Sequence, residues 1–72
     1  MKKLSDKEYL LQIGIRVRKL RGALTQKELG RKLGADQHVT IGRIERGEVN
    51  CGILFLRKLS EELGVTIQEL LP

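Results

Sequence analysis

Residues 25–47 read TQKELGRKLGADQHVTIGRIERG, and the punctuation of this stretch decides the architecture. Thr25 and Glu28 stand three apart. At that spacing a Thr hydroxyl accepts the Glu backbone amide while the carboxylate reaches back to the Thr amide, closing the start of a helix. Leu29 and Leu33, four apart, lie on one side of that helix, and Gly34 stops it. Asp36 is placed to cap a second helix, in which Ile41 and Ile44 form the apolar side and Gly47 supplies a left-handed residue beyond the end. Gly30 sits inside the first helix, where glycine costs about 1 kcal/mol relative to alanine. A close approach of the second helix is the physical reason to keep it there.

The same punctuation continues outward on both sides. Upstream, Ser5 and Glu8 repeat the capping spacing, and Leu10, Ile13, Val17 and Leu20 recur on one helical face that ends near Arg21-Gly22. Downstream, a helix is predicted from about residue 52 to 63, with Ile53, Leu56 and Leu63 on one stripe and Phe55 and Leu59 beside it. Thr66 and Glu69 form another capping pair, opening a last turn that carries Ile67, Leu70 and Leu71. No stretch alternates with period two over a useful length, and the sole proline is the last residue. The expectation is an all-α fold, a compact set of five helices in a single domain covering residues 1–72.

Composition narrows the possible functions. A chain of 72 residues has little room for both a core and a walled catalytic pocket, so a binding module is expected rather than an enzyme. Tyr9 and Phe55 are the only aromatic residues, too few to stack successive unpaired bases. One cysteine, Cys51, and one histidine, His38, exclude a disulfide framework and a Cys/His zinc cluster, and no cofactor is implied. Charged residues interrupt the N-terminus as far as Glu8, and the longest uncharged run is Val49 to Leu56. Neither a secretory leader nor a membrane span is expected, and the free thiol suits the cytoplasm.

The net charge of +5 is unevenly spread. Residues 16–46 hold nine Lys and Arg against three Asp and Glu, whereas residues 47–72 hold two against four. A basic middle beside an acidic end suits contact with a polyanion through one part of the chain, although a plain solvated surface has the same composition.

A capped helix, a polar turn and a second capped helix over residues 25–46 follow the helix-turn-helix plan, in which the second helix enters the DNA major groove. A helical hairpin inside any small bundle has the same periodicity. On the first of these readings Gln37, His38, Thr40 and Arg43 are candidate base contacts. Gln pairs with adenine, imidazole donates to guanine, a Thr methyl packs on thymine, and Arg to guanine is the commonest specific contact. Arg43 lies outside the Ile41/Ile44 side of its helix. An exposed histidine or a turn-facing threonine would look the same in sequence.

Several blocks together resemble the lambda-repressor/Cro-like helix-turn-helix family. They are IGIRVRKLR at 13–21, LTQKELG at 24–30, IERG at 44–47 and LSEELGV at 59–65, and the resemblance covers about residues 10–71. It implies a five-helix DNA-binding domain, usually a transcriptional regulator that binds an operator as a dimer. Small stand-alone members include phage and plasmid repressors, antitoxins and controllers of restriction–modification operons. Two lengths differ from the family pattern. The segment between Leu20-Arg21 and Leu24-Thr25 is about two residues short, and that from Leu33-Gly34 to Glu45-Arg46-Gly47 is one residue long. Gln37, His38, Val39 and Thr40 therefore fit the recognition helix in either of two registers.

The resemblance also implies roles for individual residues. Gln26 is the match to a glutamine that contacts DNA backbone, and Arg46 and Asn50 flank the loop that holds phosphate, though Asn50 also suits a cap for the following helix. Arg16 and Lys19 add positive charge nearby or form a plain solvated face. Glu45 is an acid inside the most basic segment and needs a cationic partner, and the family pattern supplies Arg21. For the implied homodimer, Leu54, Val65, Ile67 and Leu71 offer apolar side chains in the acidic third, where they either join two copies or close the core of one. The leading function is a sequence-specific regulator that binds a palindromic double-stranded operator. The alternative is a protein-interaction module or antitoxin of the same fold, whose partner, a toxin or RNA polymerase, the sequence does not identify.

Overall fold

The computed structural model describes residues 3–34 and 37–72. Its elements are α1 (Asp6–Arg21), α2 (Gln26–Lys32), α3 (His38–Glu45), α4 (Ile53–Leu63) and a closing 3-10 turn (Ile67–Leu70). The all-α expectation holds, with one correction: the fifth helix is a single 3-10 turn. Its four residues leave no length for an α-helical ladder before the extended Leu71.

The helix starts follow from their caps. Ser5 Oγ accepts the Glu8 amide at 3.1 Å and Glu8 returns the bond to the Ser5 amide. Thr25 and Glu28 do the same, at 3.0 and 2.9 Å. At the 3-10 turn the Thr66 amide donates to the Glu69 carboxylate at 2.7 Å. The start of α3 differs. Its N-cap residue is Gln37, which makes no capping bond to the helix amides, and its Oε1 accepts from the Thr40 hydroxyl at 3.1 Å instead. The cap assigned to Asp36 lies outside the described residues.

Leu29, Ile41, Leu59, Leu70 and Val17 are fully buried and form the core with Ile13, Leu33, Ile44 and Leu56. Each helix contributes its expected face, except that Ile53 is 63% exposed. It stands at the first position of α4, where the stripe has not yet come under neighbouring helices, so Leu56 and Leu59 carry the burial for α4.

Two glycines set how closely the helices pack. A Cβ on Gly30 would stand 2.6 Å from the His38 amide nitrogen, so α2 meets the start of α3 backbone to backbone. Gly14 does the same for α1, where a Cβ would collide with the carbonyl oxygens of Ile44 and Glu45 at the end of α3. α3 is thereby held at one end by α2 and at the other by α1.

Candidate nucleic-acid interface

The two sides of α3 divide cleanly. Ile41 and Ile44 point into the core, while Val39, Arg43 and Arg46, at i, i+4 and i+7, share the outward face. Arg43 is exposed, Val39 is 52% exposed, and Gln37, His38 and Thr40 are half-buried beside them. The four candidate base-contacting residues thus gather at the first turns of one helix, although the Thr40 hydroxyl is already engaged by Gln37.

Beneath this helix lies a polar cluster built from three elements. The Glu45 side chain is 5% exposed and Arg21 only 15%. Arg21 Nε donates to Glu45 Oε2 at 2.7 Å and Nη2 to Oε1 at 3.0 Å, a two-pronged pair between the ends of α1 and α3. Its third nitrogen, Nη1, donates to the Leu24 carbonyl oxygen at 2.8 Å. The short 22–24 segment is therefore clipped by Arg21 rather than pushing it aside. The hydrogen bond to Glu45 raises the Arg21 pKa above its ordinary value, outweighing burial.

Gln26, the first residue of α2, joins the cluster: its Nε2 donates to Glu45 Oε1 at 3.0 Å. Its Oε1 lies over Gly42, where an added Cβ would stand 3.3 Å from that oxygen and 3.2 Å from Arg46 Nη1. Gly42 thus leaves the space in which Gln26 and Arg46 pass across α3. The sequence reading missed this role. The available signal was a glycine inside an eight-residue helix, which needs a packing reason.

Arg46 also has a partner that the sequence reading did not assign. Its Nε donates to Glu48 Oε2 at 2.7 Å, with both side chains more than half exposed. The Arg46 guanidinium holds the Glu48 carboxyl below the usual carboxylate range. An exposed pair of this kind is worth little to stability, and its importance lies in partly neutralising a cation on the outward face.

Other candidates fall elsewhere. Asn50 is exposed and is not the α4 cap, which is Gly52, and it lines a shallow groove with Asp6, Tyr9 and Leu10 of α1. Arg16 donates to the Gln12 side-chain oxygen at 3.2 Å. With Lys19, Leu20 and Glu69 it lines a groove between α1 and the 3-10 turn, so these two cations are not grouped with Arg43. Leu54 is 72% exposed on α4, in a groove with Phe55, Arg57, Lys58 and Glu61. Val65 and Leu71 instead lie half-buried against the core, and Ile67 is half-buried.

α2, the turn and α3, with Arg43 and Arg46 outward over the largely buried Arg21–Glu45 pair, have the helix-turn-helix arrangement of the lambda-repressor-like fold. The helix-turn-helix family model matches residues 15–70, and the chain belongs to that family. It is similar to the restriction–modification controller protein C.AhdI of Aeromonas hydrophila, with 33% identity over 85% of this chain and 94% of that one and a TM-score of 0.78. The DNA-binding domain of BldD from S. venezulae is 34% identical, over 90% and 99% of the two chains, with a TM-score of 0.80. The P22 c2 repressor, solved with a synthetic operator, is 33% identical over 82% and 91%, with a TM-score of 0.73. No curated protein matches the chain. No helix among the described residues is long and apolar enough to cross a membrane.

Proposed function

We propose that this protein is a sequence-specific transcriptional regulator that binds double-stranded DNA through the outward face of α3. The observation that carries the reading is the grouping of Arg43 and Arg46 on that face, over the Arg21–Glu45–Gln26 cluster that holds α3 against α1 and α2. In a groove, Arg43 meets a base edge or a phosphate, with Gln37, His38 and Thr40 beside it at the helix start. Gln26 has a second amide hydrogen to give to phosphate while Glu45 holds the first, and Arg46 and Asn50 serve the backbone after α3. Arg16 and Lys19 attract DNA at longer range. The similar proteins support this reading, being a controller protein, a DNA-binding domain and an operator-bound repressor. The protein would work in the compartment that holds its DNA, the cytoplasm.

The functional unit is a homodimer on a palindromic site, because one short helix reads only a few base pairs. Half-sites would lie about 34 Å apart or a multiple of that. Exposed Leu54 and Ile53 on α4 are the anchors, with Ile67 and the exposed parts of Val65 and Leu71 at the edge. Selection of bound duplexes from a random pool tests the whole reading. The expected result is a two-fold-symmetric site whose affinity falls steeply with salt, and sedimentation should show a dimer that Leu54→Glu dissociates. Absence of duplex binding at low salt would reject the function, and a monomer on its selected site would reject the dimer.

A further inference from the structure

We propose that the outward face of α1 docks an acidic amphipathic helix of a partner protein, a second surface beyond the DNA-binding reading above. Leu11 and Ile15, one turn apart, are 42% and 50% exposed, on the side of α1 away from buried Ile13 and Val17. Helix propensity accounts for a leucine at a solvent position. It does not account for a β-branched isoleucine, where lysine or glutamine would favour the helix more. The face is also held rigidly. Gly14 lets α1 meet the carbonyl oxygens of Ile44 and Glu45, and a Cβ on Gly47 would stand 3.0 Å from the Leu11 backbone, so α1 is pinned to the end of α3. A pre-formed surface loses less freedom when a partner arrives.

Cations border this apolar pair on both sides. By helical spacing Lys7 and Arg18 run along one edge, and Lys19 and Arg16 along the other. Arg16 and Lys19 also line a groove of about 280 Å³ between α1 and the 3-10 turn. The acids on these elements are engaged, since Glu8 holds the Ser5 amide at 3.1 Å and Glu69 holds the Thr66 amide at 2.7 Å. An apolar centre between cationic edges selects its occupant. Phosphate backbone offers nothing to Leu11 and Ile15, and a second copy of α1 would set the same excess of cations against them. A helix with apolar residues at i and i+4 and carboxylates on both flanks satisfies centre and edges together. Arg16 bonds Gln12 through Nη1 and has further N–H groups to give to one of those carboxylates.

The test selects binders of the full chain from a displayed library of amphipathic helices, with leucine fixed on one face and the flanking positions randomised among Glu, Gln and Lys. Recovered helices should be rich in Glu at the flanks, and a synthetic copy should bind with an affinity that falls with salt. Ile15→Glu, at an exposed site and checked for fold by circular dichroism, should weaken that peptide at least about ten-fold in fluorescence anisotropy. Arg18→Glu should shift preference from the Glu-flanked peptide toward its Lys-flanked counterpart. No recovery, recovery without Glu enrichment, or binding that Ile15→Glu leaves intact would overturn the proposal. Self-association that Ile15→Glu abolishes and Leu54→Glu does not would assign the face to a second copy and overturn it too. So would binding to vesicles of phosphatidylcholine and phosphatidylglycerol through Ile15 in place of any helix. Duplex binding of the wild type and of Ile15→Glu, measured alongside, reads the fate of the DNA-binding reading separately.

Discussion

Arg21 and Glu45, 24 residues apart in the chain, are joined by two hydrogen bonds of 2.7 and 3.0 Å, and the third nitrogen of the same guanidinium holds the Leu24 carbonyl. One arginine therefore sets the end of α1, the loop into α2 and the end of α3 at once. Its partner acid lies under the helix that meets DNA on the proposed reading, and the ion pair keeps that carboxylate from facing phosphate alone.

Removing one partner should cost more than removing both. Glu45→Ala leaves a largely buried guanidinium with only the Leu24 carbonyl, and a loss of about 2–4 kcal/mol is expected. Pairing it with Arg21→Met should recover part of that loss, giving a coupling energy of about 1–2 kcal/mol. Urea unfolding of the four proteins measures both. A coupling energy near zero would mean that the pair contributes nothing specific.

The glycines under α3 predict opposite outcomes from the same substitution. Gly14→Ala and Gly30→Ala push a methyl into backbone of α3 or of the residue before it. Each should cost at least about 2 kcal/mol, despite the gain of up to about 1 kcal/mol in helix propensity. Gly42→Ala meets only the ends of the Gln26 and Arg46 side chains, which can move. Its stability should be unchanged or slightly higher while DNA affinity falls, because Gln26 loses its seat. Thermal melts and duplex titrations on the three variants check the contrast.

Glu48 should restrain binding. Its carboxylate occupies Arg46, so Glu48→Gln frees that cation and removes a negative charge from the loop that faces phosphate on the proposed reading. Affinity for any duplex should rise roughly two- to five-fold at low salt, with a steeper salt dependence. Arg46→Ala should weaken cognate and unrelated duplexes alike and lower the salt slope by about one, whereas Arg43→Ala should cost about 1–3 kcal/mol on the cognate site. Filter-binding titrations across a salt series separate these behaviours.

The capping carboxylates make stability depend on acid. Hydrogen bonds from the Thr25 backbone to Glu28, and from the Ser5 backbone to Glu8, lower both pKa values from about 4.5. A carboxyl that is more acidic when folded stabilises the protein above its unfolded pKa, and the benefit fades as pH falls through the lower folded value. Urea midpoints measured from pH 7 down to 3 should therefore fall, and Glu28→Gln, which still accepts the bond but does not titrate, should flatten part of that fall.

Local signals made the helices legible before any tertiary contact was known. Ser5 with Glu8 and Thr25 with Glu28 are bonds between residues three apart, and the stops at Gly22, Gly34, Gly47 and Gly64 all have positive φ. Helix boundaries could be read because their causes lie within a few residues. The Ile41/Ile44 stripe likewise fixed which side of α3 faces inward, through nothing more than helical period. The resemblance supplied the Arg21–Glu45 pairing, which no local rule contains.

What remained for the tertiary structure involves residues distant in sequence or competing for one position. The start of α3 admitted two registers because the segment from Leu33-Gly34 to Glu45-Arg46-Gly47 is one residue longer than the family pattern. In the fold α3 begins at His38, whose amide lies so close to Gly30 that a Cβ there would stand 2.6 Å away, and Val39 is exposed. Glu48 was passed over because nothing in the chain says which of several nearby cations a flexible carboxylate will take. Gly14 and Gly42 carried no role in the sequence reading, since a missing Cβ has meaning only when another chain segment fills the space. Ile53 read as core because periodicity counts positions along one helix, whereas burial depends on whether a neighbour reaches that far. Spacing determined which residues share a face, and only packing decided what each face meets.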